Sequence, residues 1–251
     1  METGLGGKVA LVTGASKGIG QAIAAALARE GASVMLSSRK IEALEEAASS
    51  IDGDTAVFAA NAGDPEAAEA CVEATIERFG GIDVLVNNAA TNPYMGRSID
   101  IDVERWQKTF EVNLRGPLLW THHAWHRSMS ERPGSSVINV ASIGGLSGGS
   151  AIGIYNNTKA ALMHLTRVLA GELAPSTRVN AIAPGLVKTD MARALWEPNE
   201  AQLGKATPLG RIGEPDDIAN AAVFLAGSMS SWMTGQTVVV DGGSTIGGRS
   251  G

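Results

Sequence analysis

The fold is decided by residues 8–31, KVALVTGASKGIGQAIAAALAREG. The first part, KVALVTG, is an apolar run of strand length that ends in a glycine. In the second part, GIGQAIAAALAREG, alanine and leucine recur at helical spacing. The stretch therefore predicts a buried strand, a glycine-rich turn and a helix, in that order.

The same alternation of strand and helix continues along the whole chain. Further apolar runs of strand length are SVMLSSR (33–39), DTAVFAAN (54–61), IDVLVNNAA (82–90), SSVINVAS (135–142), TRVNAIAPG (177–185) and QTVVVDGG (236–243). Strands that are apolar throughout are buried on both faces, which is typical of a parallel sheet covered by helices on each side. The sequence thus predicts an α/β protein with a doubly wound, Rossmann-type parallel sheet of about seven strands, in a single domain over residues 1–251.

Three segments between the strands have specific predictions. A helix should begin with Asp64 as its N-cap and Pro65 as its first residue. Long helices are expected over about 103–129 and 155–173. The longest stretch without regular periodicity, 186–213, is rich in proline, glycine and charge, and we interpret it as a substrate lid.

Composition excludes several classes of function. With 251 residues and a net charge of −6, the chain lacks the basic face that nucleic-acid binding needs. Cys71 is the only cysteine, so no internal disulfide forms and a cytoplasmic location is expected. Neither a signal peptide nor an apolar stretch of membrane-spanning length is present, which predicts no membrane partner.

The glycine-rich turn TGASKGIG, residues 13–20, indicates a dinucleotide site. Gly14, Gly18 and Gly20 would let the backbone approach a pyrophosphate, which the first amides of the helix would bind together with Ser16, Lys17 and Ile19. The pentapeptides GASKG (14–18) and GLSGG (145–149) also match the nucleophile elbow of serine hydrolases. A hydrolase is disfavoured because its histidine base normally lies late in the chain, whereas the last histidine here is His164.

The end of the second strand predicts the choice of cofactor. An NAD site places a carboxylate there, about 20 residues beyond the glycine turn, to bond the ribose hydroxyls. Here Ser38 stands in that position and Arg39 follows it. A hydroxyl and a guanidinium can bind a 2′-phosphate that a carboxylate would repel, and Lys17 adds a second positive charge. These residues favour NADP(H), with NAD(H) as the alternative.

Tyr155 and Lys159 are the strongest candidates for catalysis. They lie four residues apart in a predicted helix, so the phenol and the ammonium share one face. Ser142 ends the strand SSVINVAS, and Asn113 lies in a helix at FEVNLRG. This pattern resembles the short-chain dehydrogenase/reductase family from Lys8 to about Ser244. The resemblance also includes, in that family's order and at its spacings, the motifs TGASKGIG, NNAA, YNNTK, NAIAPG and VVVDGG.

The resemblance implies a role for each of these residues. Tyr155 would be the general acid for carbonyl reduction, with its pKa lowered by the charge of Lys159. Ser142 would hold the substrate oxygen, and Asn113 would anchor a water that relays protons towards the lysine. Cofactor contacts are implied for Asn61, Ala62, Asn87, Asn88, Ala89 and Ala90 beside the adenosine, and for Pro184, Gly185, Val187 and Thr189 around the nicotinamide, with Tyr155 and Lys159. Family members are usually homotetramers.

The chain also departs from the family pattern in places. Asn156 and Asn157 replace small residues, Asn61 replaces an aspartate that bonds adenine, and Ala90 replaces a glycine and would be strained at positive φ. His122 and His126 lie one helical turn apart, but no third ligand is evident, so no metal site is predicted.

Three functions remain open from the sequence. The first is an NADPH-dependent carbonyl reductase, with 3-oxoacyl thioesters on acyl carrier protein as one substrate. Arg127 and Arg132 could steer such a carrier, but Gly171 replaces an arginine common in those reductases. Met191, Leu195 and Trp196 offer the lid to an aliphatic or ring substrate. The second is an NAD-linked secondary alcohol dehydrogenase, and the third is a non-catalytic dinucleotide sensor, which an intact catalytic set disfavours.

Overall fold

The computed structural model describes residues 2–148 and 151–247 and confirms the predicted sheet. Seven parallel strands lie in the order β3-β2-β1-β4-β5-β6-β7. They are β1 Val9–Thr13, β2 Ser33–Ser38, β3 Thr55–Ala59, β4 Val84–Asn87, β5 Ser135–Val140, β6 Thr177–Pro184 and β7 Thr237–Val240. The strand order reverses between β1 and β4, and ligands of doubly wound sheets bind at the carboxyl ends of the strands beside such a reversal.

Helices cover both faces of this sheet. They are α1 Gly18–Arg29, α2 Ile41–Ser49, α3 Pro65–Phe79, α4 Val103–Phe110, α5 Gly116–Arg127, α6 Gly153–Glu172, α7 Arg193–Trp196, α8 Glu200–Ala206 and α9 Pro215–Ala226. One apolar core packs α1 and α9 against the sheet, and a second packs α3 and α5 against its other face. The central strands β1, β4 and β5 are buried along their whole length, as expected of a parallel sheet that is covered on both faces.

The start of α3 follows its sequence signals. Asp64 is the N-cap, and its Oδ1 accepts hydrogen bonds from the amides of Glu66 at 3.0 Å and Ala67 at 3.3 Å. Pro65 occupies the first turn, where a missing amide hydrogen costs nothing. The helix ends at Gly80, whose φ of 84° only glycine adopts readily.

The long helix expected over 103–129 is interrupted at the candidate Asn113. A π-helical turn, Glu111–Arg115, joins α4 to α5. The cause lies in Pro117, which has no amide hydrogen to donate to the carbonyl of Asn113 four residues earlier. Such π-turns are frequent at functional sites, and this one turns the Asn113 side chain into the interior of the protein.

The segment 186–213 is more regular than the sequence suggested. It contains the short helices α7 and α8 instead of one continuous irregular loop. Its two ends meet in a parallel bridge, in which Lys188 N donates to Gly213 O at 2.9 Å and Gly213 N donates to Leu186 O at 2.9 Å. The short helices escaped prediction because segments of four to seven residues carry too little periodicity.

None of the helices in the described part of the chain is both long enough and apolar enough to cross a membrane.

Candidate active site

The four candidate catalytic residues lie on three adjacent elements. Ser142 follows β5, Tyr155 and Lys159 lie on α6, and Asn113 lies in the π-turn before α5. Hydrogen bonds through Thr158 tie two of these elements together, because its hydroxyl accepts from Asn113 Nδ2 at 3.2 Å and donates to the carbonyl of Tyr155 at 2.7 Å. Thr158, which the sequence reasoning missed, therefore fixes the π-turn against the helix that carries the candidate acid.

Lys159 is buried beneath the site, with only 2% of its surface exposed. Its Nζ donates to the carbonyl of Val140 at 2.7 Å, two residues before Ser142, and lies 5.5 Å from the centroid of the Tyr155 ring. No carboxylate pairs with this amine within the described residues, and burial lowers its pKa to about 7. The backbone carbonyl that anchors Lys159 could not have been identified from residue types.

Tyr155 is only partly buried, but its pKa moves against the sequence-based expectation. We expected the neighbouring ammonium to lower it, whereas burial raises the pKa of the phenol to about 12. The physical reason is that the surroundings of Tyr155 desolvate a phenolate more than Lys159, itself buried and bonded to a carbonyl, stabilises it. Among the groups of this chain alone, Tyr155 is a protonated donor at neutral pH.

Asn113 is fully buried, and its side chain is used inside the protein. Its Oδ1 accepts from Thr91 N at 2.8 Å, and its Nδ2 donates to Thr91 O at 2.9 Å as well as to Thr158. The side chain thus clamps the loop after β4 to the π-turn and to α6. Its predicted role of anchoring a relay water stays a prediction.

Ser142 caps a short 3₁₀ turn, Ile143–Leu146, and its Oγ accepts from Gly144 N at 3.1 Å. This turn packs closely on α6, since a Cβ at Gly144 would collide with the amide of Asn156. Asn156 is buried, and its Oδ1 has no hydrogen-bond partner within the described residues. The departure from small residues at Asn156 therefore shapes the turn that presents Ser142, while Asn157 is exposed.

The glycine turn forms a cradle at the start of α1. Gly14 and Gly18 have φ of 64° and 59°, and a Cβ at Gly20 would collide with the carbonyl of Gly14. Asn88 holds the turn from β4, because its Nδ2 donates to Thr13 O at 2.9 Å and to Gly14 O at 3.1 Å.

The same cradle has donors available for an anion. Lys17, the N-cap of α1, makes no side-chain capping bond, so the first amides of the helix have no side-chain acceptor there. A backbone that only glycine permits and unsatisfied helix amides fit a pyrophosphate.

The expected ribose end of the site lies beside this cradle. Ala15 N donates to Ser37 O at 3.1 Å, which joins the glycine turn to the end of β2, where Ser38 and Arg39 lie. Arg39 is exposed and has no ion-pair partner within the described residues. Lys17, in contrast, forms an ion pair of 3.0 Å with Asp190 in the lid segment. No sequence pattern pointed to Asp190, which is 173 residues away from Lys17 along the chain.

The adenosine-side candidates have structural partners. Asn61 Oδ1 accepts from Gly63 N at 3.2 Å, so this side chain closes a local turn. Ala62 O accepts from the indole of Trp120 at 3.1 Å. Asn87 is buried and bonds Asn139 at 2.9 Å, behind the site.

The segment after β4 is bound to the end of β1 and has an unstrained backbone. The amides of Asn88 and Ala89 donate to Thr13 Oγ1 at 3.0 and 3.1 Å. No described residue other than glycine has positive φ, so Ala90 is not strained. The condition for strain at Ala90, a positive φ, is therefore not met.

The nicotinamide-side candidates begin at the end of β6. Gly185 lies so close to Asp241 that a Cβ would approach the Asp241 Cα to 2.8 Å. Val187 is buried, and Thr189 Cγ2 would lie 3.3 Å from a Cβ at Gly18. The segment after β6 therefore passes directly over the first turn of α1.

The histidines of the described residues belong to no metal-binding group. Within residues 2–148 and 151–247, no group of three or more histidine, cysteine or acidic side chains could hold a metal ion. The rings of His122 and His126 pack edge-on, 4.6 Å apart. His164 lies on α6, and Gly149 of the GLSGG motif lies outside the described residues.

Known proteins share both this sequence and this fold. A family model described as Enoyl-(Acyl carrier protein) reductase matches residues 14–245. Dehydrogenase/reductase SDR family member 4 from Homo sapiens is 42% identical over 245 residues, which are 95% of this chain and 88% of that protein. The protein of the same name from Caenorhabditis elegans is 37% identical, over 94% of this chain and 95% of its own length.

A solved structure agrees in its backbone as well. The structure described as short-chain dehydrogenase/reductase SDR:glucose/ribitol dehydrogenase from Brucella melitensis has a TM-score of 0.92 and 33% identity, and the match covers 97% of this chain and 98% of that one. With the family's motifs, its sheet order and relatives along nearly the whole chain, the protein belongs to the short-chain dehydrogenase/reductase family and is an oxidoreductase of the kind that binds NAD(P)(H).

Proposed function

We propose that this protein is an NADPH-dependent reductase that converts a carbonyl group into a secondary alcohol. The observation that carries the proposal is the arrangement of Lys159 and Tyr155 on one face of α6, with the lysine anchored below the phenol by the carbonyl of Val140. The two side chains are positioned by burial and by a backbone hydrogen bond, so they are preorganised for proton transfer.

The residues of the chain divide the proton chemistry between them. Tyr155 would donate its phenolic proton to the carbonyl oxygen, which Ser142 would orient, and Lys159 would stabilise the phenolate that results. When bound, NADPH would supply the hydride to the substrate carbon and leave a positive charge beside the phenol. Because burial holds the pKa of Tyr155 at about 12, the protonated form dominates at neutral pH. That form suits reduction, whereas oxidation needs the phenolate.

The choice of NADPH is supported by Arg39, which follows Ser38 and has no ion-pair partner in the part of the chain that the structure describes. A guanidinium without an internal carboxylate partner is available to a 2′-phosphate, which NADH lacks. Measuring the dissociation constants of NADPH and NADH by nucleotide fluorescence tests this choice. Tighter binding of NADH than of NADPH would contradict it and would favour the NAD-linked alcohol dehydrogenase instead.

The substrate that the site supports best is a free apolar ketone. The two arginines that could steer an acidic carrier already have partners: Arg127 pairs with Glu69 at 2.6 Å, and Arg132 pairs with Asp83 at 3.3 Å. On the lid, Met191 and Leu195 leave 59% and 42% of their surfaces exposed.

Trp196 has a different part in the lid. Its indole nitrogen donates to Thr189 O at 3.0 Å, so this side chain supports the lid from within.

Steady-state NADPH oxidation with aliphatic ketones, ring ketones and 3-oxoacyl thioesters tests the proposed preference for a free apolar substrate. Selective turnover of the carrier-bound thioester would contradict it.

We also propose assembly into a homotetramer, supported by an apolar groove between α4, α5 and α6. The groove has a volume of about 690 Å³ and is lined by Trp106, Phe110, Leu114, Leu118, Leu165 and Val168, among others. Trp106 stacks on Phe110 with ring centroids 4.3 Å apart, and Leu118 and Val168 remain 42% and 40% exposed. Sedimentation equilibrium tests the assembly, and a monomer at micromolar concentration would contradict it.

A further inference from the structure

Two cations flank the proposed phosphate end of the site, and they are in different states. Arg39 has no ion-pair partner within the described residues, whereas Lys17 donates to Asp190 Oδ2 at 3.0 Å. The side chains of Lys17 and Asp190 are 67% and 48% exposed, so the pair lies at the surface, within reach of an arriving ligand. The positive charge of Lys17 is therefore already shared with a carboxylate of the same chain.

The position of Asp190 is set by its own segment. Arg193 Nη2 pairs with it at 2.6 Å from the next helical turn, and Thr189 packs over Gly18 at the start of α1. Two hydrogen bonds hold Thr189. Its carbonyl accepts from Trp196 Nε1, and its hydroxyl accepts from Ala192 N at 3.3 Å. Asp190 is thus presented to Lys17 by a packed segment.

We propose that Asp190 is a specificity-determining residue that competes with the cofactor's 2′-phosphate for Lys17. The inference rests on the proposed use of NADPH. A carboxylate and a phosphate monoester both seek the same ammonium, so the phosphate must displace Asp190 from Lys17 or share it. Asp190 therefore weakens NADPH binding without a matching effect on NADH, while Arg193 keeps the released carboxylate paired.

The test compares nucleotide binding by wild type, Asp190→Asn and Asp190→Glu, with no substrate added. Dissociation constants for NADPH and NADH are measured by nucleotide fluorescence and checked by calorimetry. Because an exposed ion pair contributes only modestly, we expect Asp190→Asn to bind NADPH about threefold more tightly. NADH affinity should change by less than about 1.5-fold by the same reasoning, and Asp190→Glu should resemble wild type.

A matched control separates this pairing from a general loss of negative charge. Glu197 lies in the same segment, is exposed and has no ion-pair partner within the described residues. Glu197→Gln should leave both constants unchanged. The double variant Lys17→Gln/Asp190→Asn should bind NADPH no more tightly than Lys17→Gln, since the cation for which Asp190 competes is gone. A gain that persists without Lys17 would overturn the proposal.

The outcomes also separate this inference from the proposed function. Tighter binding of NADH than NADPH by wild type would refute the proposed cofactor, whatever Asp190→Asn does. If wild type prefers NADPH but Asp190→Asn leaves its affinity unchanged, only the role of Asp190 is overturned. An equal gain for NADPH and NADH overturns it too, because the competition would then involve the pyrophosphate that both nucleotides carry.

Discussion

The floor of the candidate site, meaning the buried residues around Lys159, and the segment 186–213, which we propose to be a lid, are held by opposite kinds of interaction. On the floor, Lys159 is buried, bonds a backbone carbonyl and has its pKa lowered to about 7 by burial. In the lid, Lys188 is accessible and pairs with Glu200 and Glu214 at 2.8 Å each, which raises its pKa. Packing and backbone geometry thus position the candidate chemistry, whereas exposed charges hold the part that would admit ligands.

This difference predicts how each region should respond to substitutions and to salt. Packing interactions are insensitive to salt, and losing one leaves a void or an unsatisfied group. Exposed ion pairs weaken as added salt shortens the Debye length from about 10 Å at 0.1 M, and each contributes little to stability. Substitutions on the floor should therefore have large effects that salt does not modify, and substitutions in the lid should have small, salt-dependent ones.

The largest effect is expected on the floor, at Tyr155. General acid catalysis typically contributes about 10²–10⁴-fold, so Tyr155→Phe should lower kcat of ketone reduction by at least about 100-fold. The other tyrosine of the chain, Tyr94, donates to the carbonyl of Arg97 at 2.9 Å and provides the matched control. Full turnover by Tyr155→Phe, or an equal loss in Tyr94→Phe, would contradict the assignment.

The glycine cradle should give the next largest effect. A Cβ at Gly20 would meet the carbonyl of Gly14 and the amide of Asn88. Gly20→Ala should therefore lower the free energy of unfolding by about 1–3 kcal/mol and weaken nucleotide binding. Gly171→Ala is the control, because nothing lies within 4 Å of its Cβ and alanine favours helices. Denaturant unfolding measures the free energy of unfolding of both variants. Equal stability of Gly20→Ala and Gly171→Ala would refute a close-packed cradle.

Burial of Lys159 should give stability a dependence on pH. Its pKa in the folded chain is about 7, below its ordinary value of 10.5, so the unfolded chain binds more protons between these values. Stability should consequently rise with pH from about 7 and be fully gained near pH 10.5, by on the order of 1 kcal/mol per pH unit.

This prediction is tested by the difference in the free energy of unfolding between wild type and Lys159→Met. Taking this difference at each pH from 7 to 9.5, without nucleotide, removes the titration of other groups. Lys159→Met should lack the slope. Parallel stability curves for the two proteins would show that the ammonium is solvated in the folded state.

The smallest effect on stability should come from the lid. Lys188→Gln breaks both ion pairs, yet it should cost less than about 1 kcal/mol because the charges are exposed. We expect KM for the ketone to rise, with kcat nearly unchanged, and the difference from wild type to shrink at high salt. A large loss of stability that salt does not alter would mean that the lid is held like the floor.

Most of the fold could be predicted because its signals are local. The apolar strands, the capped start of α3 and the glycine turn each depend on neighbours in sequence, and the structure contains all of them. The break in the helix at Asn113 also has a local cause, Pro117. It follows from the hydrogen bond that Pro117 cannot donate to the carbonyl four residues earlier. The short helices of the lid had no comparable signal.

Residue types and their spacing were sufficient to identify Asn113, Ser142, Tyr155 and Lys159 as candidates and to assign the chain to its family, because a helix brings i and i+4 to one face wherever it occurs. Only the tertiary structure decided that Lys159 bonds the Val140 carbonyl, that burial raises the pKa of Tyr155, and that Asp190 pairs with Lys17. Desolvation and long-range pairing depend on which distant segments surround a group, and no local pattern of residues encodes that environment.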